Sequence, residues 1–199
     1  VDPSAGDNYA IRWASANGLA EVVKLLLKDV RVDPSSVDNR AIKWASENGH
    51  AELVKLLLTD KRVDPSAEDN YAIRCASARG HVEVVRLLLS NRRVNPSKYC
   101  NYAIIDASGN GHTEVVKLLL ADDRVDPLAE DNFAIKKALK NDYEEIVKLL
   151  FKTGRIDPSA DNNYLIRMAS SNGYVEIVKS LLTDERVDPS AGDLSLIHI

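Results

Sequence analysis

Three histidines, His50, His81 and His112, recur at intervals of 31 residues. Such a column is the first place to look for metal or general-base chemistry. A shared Zn²⁺ would hold two ligand nitrogens within about 4 Å of each other, since each lies about 2 Å from the metal. Equivalent atoms of stacked helical units stand about 8–10 Å apart. One metal cannot draw two of these histidines together, and Tyr143 and Tyr174 replace them further on. The two thiols, Cys75 and Cys100, lack metal-type spacing and read as free. No nucleophile has an evident base and orienting partner, and no phosphate-binding loop is present. No catalytic, metal or cofactor site is expected, and the chain is read as non-enzymatic.

What positions these residues is a repeat. Val1-Asp2-Pro3 returns as Val32-Asp33-Pro34, Val63-Asp64-Pro65, Val94-Asn95-Pro96, Val125-Asp126-Pro127, Ile156-Asp157-Pro158 and Val187-Asp188-Pro189, always 31 residues on. A fixed period in this range marks a solenoid of stacked supersecondary units. The units run 1–31, 32–62, 63–93, 94–124, 125–155 and 156–186, with the start of a seventh at 187–193.

Each unit has the same grammar. Proline fixes its own φ and biases the preceding Asp away from helix, so the V-D-P segments are extended turns or short hairpin arms. Asn8, Asn39, Asn70, Asn101, Asn132 and Asn163 stand where a helix N-cap belongs. A first helix of about eight to ten residues ends at Asn48-Gly49 and its equivalents, because glycine accepts the left-handed C-terminal conformation. A second helix covers roughly Ala51 to Thr59, and Leu53, Val54, Leu56, Leu57 and Leu58 spread beyond one stripe, so it must be covered on several sides. One unit alone cannot offset its ordering entropy, and stability has to come from interfaces between units. The post-proline serines are turn formers. Arg62 and Asp64 share a side of an extended segment and can pair, and their equivalents form a row whose expected role is to tune the connection, a charged binding ladder being the alternative.

With 45% hydrophobic and 28% charged residues the composition is globular, and the net charge of −4 is spread without a basic stripe. Nucleic acid is not an expected partner, nor is a membrane, since no run of 18 apolar residues occurs. The absence of a disulfide framework points to an intracellular, most simply cytoplasmic, setting.

Residues 38–58 resemble an ankyrin repeat. Ala45-Ser46-Glu47-Asn48-Gly49-His50 followed by Glu52-Leu53-Val54-Lys55-Leu56-Leu57-Leu58 is similar to the family's A-A-x-x-G-H-x-E-V-V-K-L-L-L, and the match returns at residues 76–89 and 107–120. Tyr71-Ala72-Ile73-Arg74 and its equivalents replace the family's T-P-L-H, and each unit is two residues shorter than the usual 33. The resemblance implies an all-α helix-turn-helix solenoid with short extended connections, in which His50, His81 and His112 pack and hydrogen-bond near the start of the second helix. It further implies a monomeric protein-interaction module or scaffold that binds an unidentified protein along a concave face lined by first helices. A regulatory or targeting segment of a larger enzyme or ubiquitin-ligase adaptor, and a passive spacer, are the alternatives.

Candidate contacts are positions where the units differ inside a fixed frame. The residue before the fixed Ala of the first helix is Trp13, Trp44, Cys75, Asp106, Lys137 or Met168, the x of the family's T-P-L-H-x-A. Gly6, Val37, Glu68, Tyr99, Glu130 and Asp161 vary near the turn, and Glu47 varies late in the first helix. Trp13, Trp44 and Tyr99 lead, because exposed aromatics anchor interfaces. The fifth unit departs most, with Leu139 for Ser, Asp142 for Gly and Thr153-Gly154 before Arg155, and is expected to be the softest. Residues 194–199 break the pattern. Leu194-Ser195-Leu196-Ile197-His198-Ile199 resembles the translated end of a sequencing-library adapter and is read as a non-native tail, although Ser195-Leu196-Ile197-His198 also imitates T-P-L-H.

Overall fold

The computed structural model describes residues 2–187, so the start of the seventh unit beyond Val187 and the expected tail at 194–199 lie outside the described residues. Twelve α-helices and no strand occur among them, in six pairs: α1 (Ala5–Ala16) and α2 (Ala20–Leu26), α3 (Ser36–Glu47) and α4 (Ala51–Leu57), α5 (Ala67–Ala78) and α6 (Val82–Leu89), α7 (Lys98–Gly109) and α8 (Thr113–Leu120), α9 (Ala129–Lys140) and α10 (Glu144–Phe151), α11 (Ala160–Ser171) and α12 (Val175–Leu182). Each pair is one period of the sequence. First helices pack on first helices and second helices on second helices, giving an all-α solenoid.

The core is a set of columns. Ile42, Ile73, Ile104 and Ile135 of successive first helices are fully or almost fully buried, and so are Val54, Val85, Val116 and Val147 of the second helices. Val32, Val63 and Val94 of the V-D-P segments are buried between units. In α4, Leu53, Val54 and Leu57 are buried while Leu56 and Leu58 are partly covered, which is the multi-sided packing their spread demands. The helix ends two residues before Thr59 because the chain tightens there: the Thr59 N–H and hydroxyl both donate to the Leu56 carbonyl, at 3.1 and 2.7 Å.

The start of each first helix differs from the expected N-cap. After one turn the chain passes through three consecutive left-handed residues, for instance Gly6, Asp7 and Asn8 at φ 60, 54 and 60°, or Val37, Asp38 and Asn39 at φ 54, 53 and 60°. Right-handed helix then begins at Tyr9 or its equivalent. The residue at the helix start is instead a serine, Ser4, Ser35 or Ser66, without a side-chain cap bond, and the asparagine Oδ1 faces the following unit. Left-handed geometry costs an ordinary residue about 1–2 kcal/mol, less for Asn and Asp, which explains the recurrent Asp-Asn pair at the second and third of these positions. The V-D-P arms do not pair into a hairpin among the described residues; this left-handed turn takes its place.

The glycine stops are as expected. Gly49 has φ 77°, and a Cβ there would stand 2.6 Å from the His81 ring, so the position requires glycine for conformation and for space.

Candidate functional site

Two sets of bonds fix one unit on the next, and a third ties the two ends of a unit together. In the first, the asparagine in the left-handed turn accepts the Asp or Asn N–H of the following V-D-P: Asp33 to Asn8 at 2.7 Å, Asp64 to Asn39 at 2.6 Å, Asn95 to Asn70 at 2.7 Å and Asp126 to Asn101 at 2.8 Å. The second runs backwards along the stack. His50, His81 and His112 place Nε2 at 3.1, 3.0 and 3.0 Å from the carbonyls of Ala16, Glu47 and Ala78 at the ends of the preceding first helices. Those histidines therefore donate to orphan carbonyls that every helix C-terminus leaves. Asn48, Asn110 and Asn141 add amide donors to Ala16, Ala78 and Gly109.

The third set corrects the expected Arg62–Asp64 pairing. Arg62 turns back onto Asp60 in a two-point fork, Nε to Oδ1 at 3.0 Å and Nη2 to Oδ2 at 2.7 Å, and Nη1 donates to the Val32 carbonyl, tying the last residue of the unit 32–62 to its first. Asp64 is already occupied, its Oδ1 accepting the Ser66 N–H and hydroxyl at 2.9 and 2.6 Å. Arg124 repeats the fork on Asp122 and reaches Val94. Arg31 and Arg186 form forks as well, and hold the Asp29 and Asp184 carboxyls down at about 2.

The variable positions lie on one face, along the first helices and their turns. Trp13 is 53% exposed and stacked on Tyr9, with centroids 6.0 Å apart. Trp44 is half-buried under the Arg40 guanidinium at 5.3 Å. Cys75 is half-buried beside Tyr71; burial pushes its thiol up, and the bond to Cys75, with burial next, pushes the Tyr71 hydroxyl to about 12. Asp106 and Lys137 bridge two units at 3.0 Å. Met168 packs against the edge of the core. Glu47 is gripped by Arg79, and Glu68 by Lys43 at 2.6 Å, the lysine being only 6% exposed. Tyr99 is 53% exposed, with the Arg74 guanidinium 4.3 Å from its ring.

A rule emerges that spacing within one unit does not reveal. The residue four places after the turn asparagine reaches the first left-handed residue of the next unit: Lys43 to Glu68, Arg74 to Tyr99, Lys136 to Asp161. At these three of the five junctions part of the variability is a joint between units, whereas Arg12 folds back onto the Gly6 and Asp7 carbonyls of its own unit. The sequence also carries an aromatic column, Tyr9, Tyr71, Tyr102, Phe133 and Tyr164, broken by Arg40. Its signal was an aromatic directly after the turn asparagine.

Between α7, α9 and α11 the same face deepens into a pocket of about 520 Å³, with Phe133 and Tyr164 among its walls and Lys136, Lys137, Lys140 and Arg167 around it. α11 packs more loosely on α9 than earlier first helices pack on one another. Several joints are altered nearby. Leu128 replaces the serine whose hydroxyl binds the V-D-P aspartate elsewhere, Asn132 Oδ1 is buried without a partner, and Thr153 gives Arg155 no carboxylate to fork onto. Asp142 stands in the left-handed glycine position at φ 62° and accepts the Tyr174 hydroxyl at 2.6 Å, an Asp–Tyr pair in place of the Gly–His contact. Burial first, then this bond, raises Tyr174 to about 12.

The family model for ankyrin repeats matches three times, over residues 2–69, 42–131 and 104–193. The chain belongs to the ankyrin-repeat family. Comparison with curated proteins returns no match. Ankyrin repeats are in general protein-interaction modules and typically non-catalytic. No group of histidine, cysteine and acidic residues suited to a metal ion occurs among the described residues. Likewise, none of the described helices is long and apolar enough to cross a membrane.

Proposed function

We propose that this ankyrin array is a non-catalytic module that binds a partner protein along its first-helix face, the concave face of the family, and acts as a monomeric scaffold inside the cell. The observation that carries the reading is the exposure of large aromatics on that one face, Tyr9, Trp13 and Tyr99 at 55, 53 and 53%. They are held in a frame bonded from unit to unit. Rigid aromatics lose little conformational entropy on binding and dominate interface energetics.

The test compares partner recovery from lysate by the wild type and by the Trp13→Ala, Trp44→Ala, Tyr99→Ala triple variant. A control variant, Glu83→Ala with Lys117→Ala, alters exposed positions on the second helices. Loss of more than about 2 kcal/mol from one aromatic anchor corresponds to more than tenfold weaker binding. Partners should therefore be lost from the triple variant and kept by the control. Equal recovery by all three would leave a passive spacer as the better description.

A further inference from the structure

We infer that the pocket between α7, α9 and α11 binds an acidic peptide segment of the partner, one that carries carboxylates on either side of an aromatic or branched apolar side chain. This rests on the reading of the first-helix face as the partner surface and adds the chemistry of what is bound there.

Charge makes the first argument. Four cationic side chains and a single carboxylate, Asp161, line the pocket in a chain of net charge −4. Lys136 and Lys137 are held by Asp161 and Asp106. Lys140 and Arg167, both exposed, join no ion pair among the described residues. Two unpaired cations beside two held ones attract a ligand that brings more than one negative charge.

The apolar walls supply the second. Phe133 is 39% exposed, with Lys137 Nζ 5.2 Å from its ring centroid, and Tyr164 is half-buried across the same space. A side chain entering between two rings is desolvated as the carboxylates meet the rim, which a simple anion would not exploit.

Hydrogen-bond polarity separates a peptide from other polyanions. Asn110 and Asn141 direct their Nδ2 donors at the Ala78 and Gly109 carbonyls, at 2.8 and 2.7 Å. Both asparagines line the pocket, and with each Nδ2 engaged at a carbonyl the Oδ1 is left as an acceptor. A peptide offers backbone N–H groups to such oxygens and carboxylates to the neighbouring cations. Phosphate chains offer no donor, and the acceptors repel them.

Fluorescence polarisation with the full chain decides the matter. The probe is a fluorescein-labelled peptide Gly-Ser-Glu-Asp-Phe-Asp-Glu-Ser-Gly, set against its Gln/Asn-matched form, a Phe-to-Ala form and competing inorganic triphosphate. Binding of the acidic probe should weaken about tenfold in Lys140→Gln with Arg167→Gln, fall with added salt, and fall again without the Phe. Both substituted side chains are exposed and unpaired, so the fold is not at stake. Equal affinity for the Gln/Asn-matched peptide, or no change in the double variant, overturns the inference; triphosphate displacing the probe at equal concentration overturns the peptide assignment. If partner recovery from lysate depends on Trp13, Trp44 and Tyr99 but not on Lys140 and Arg167, the pocket assignment falls while the general function stands. Dependence on neither set removes both.

Discussion

Asn70 and Asn132 offer a near-matched experiment within one molecule. They sit in almost identical segments, residues 67–73 reading A-E-D-N-Y-A-I and residues 129–135 A-E-D-N-F-A-I. Their backbone angles nearly coincide, φ 61°, ψ 40° against φ 61°, ψ 32°. Asn70 accepts the Asn95 N–H at 2.7 Å, whereas Asn132 Oδ1 is buried with no partner. Replacing Asn70 by alanine leaves the Asn95 N–H unsatisfied, at about 1–3 kcal/mol, and puts alanine in the left-handed region, at about 1 kcal/mol more than Asn. The sum is about 2–4 kcal/mol. At Asn132 only the backbone contribution applies, about 1 kcal/mol or less. Asn70→Gly removes the strain and isolates the bond, at about 1–3 kcal/mol. Urea unfolding followed by circular dichroism reads the totals. Native-state hydrogen exchange at the Asn95 and Asp157 amides reads the local effect, which matters because repeat arrays need not unfold in one step. Equal losses at the two sites, or an Asn95 amide as well protected in Asn70→Ala as in wild type, would refute the idea that this bond holds unit to unit.

Further outcomes follow from the same structure. Gly49→Ala should cost well above 1 kcal/mol, because strain at φ 77° adds to the His81 contact, while Gly154→Ala, at φ 68° with open space around it, should cost about 1 kcal/mol; thermal melts separate them. Ser77→Ala removes a fully buried hydroxyl without a partner and should be neutral or stabilising by up to about 1 kcal/mol. The arginine forks depress the Asp29, Asp60, Asp122 and Asp184 carboxyls below their ordinary 3.8. Their contribution is present above that value and is lost as pH falls through the folded-state values, about 2 for Asp29 and Asp184. Stability should therefore decline between about pH 4 and pH 2, and Arg62→Gln with Arg124→Gln should flatten that decline. Hydrogen exchange should find residues 125–155 the least protected, given the altered joints there; finding them the best protected would refute this.

Much of the architecture could be read before any coordinates. The period, the two helices per unit, the glycine stops and the packing role of the histidines each rest on local chemistry that recurs in register. The left-handed turn could not be read the same way. Asp-Asn ahead of an apolar run is equally good chemistry for a helix cap and for a left-handed turn, and the deciding partner is an N–H 25 residues away. Arg62 was misassigned for a related reason: Asp60 and Asp64 are equidistant in sequence, and only Ser66, by occupying Asp64, breaks the tie. Variation among units is legible in the sequence, but the contacts that several variable residues make with a neighbouring unit are not. Glu68 looks free until Lys43 of the preceding unit is seen against it.

The two kinds of joint also govern how such a chain can change length. The asparagine bond spans 25 residues forwards and the histidine bond 34 residues backwards. Removing 31 residues from any starting point splices one unit onto the next but one, and both spans are restored at the seam; removing 30 or 32 breaks both. Duplications and losses of whole periods thus keep the asparagine and histidine bonds, while unit-specific pairs such as Lys43 with Glu68 are the contacts that must be re-matched at the seam.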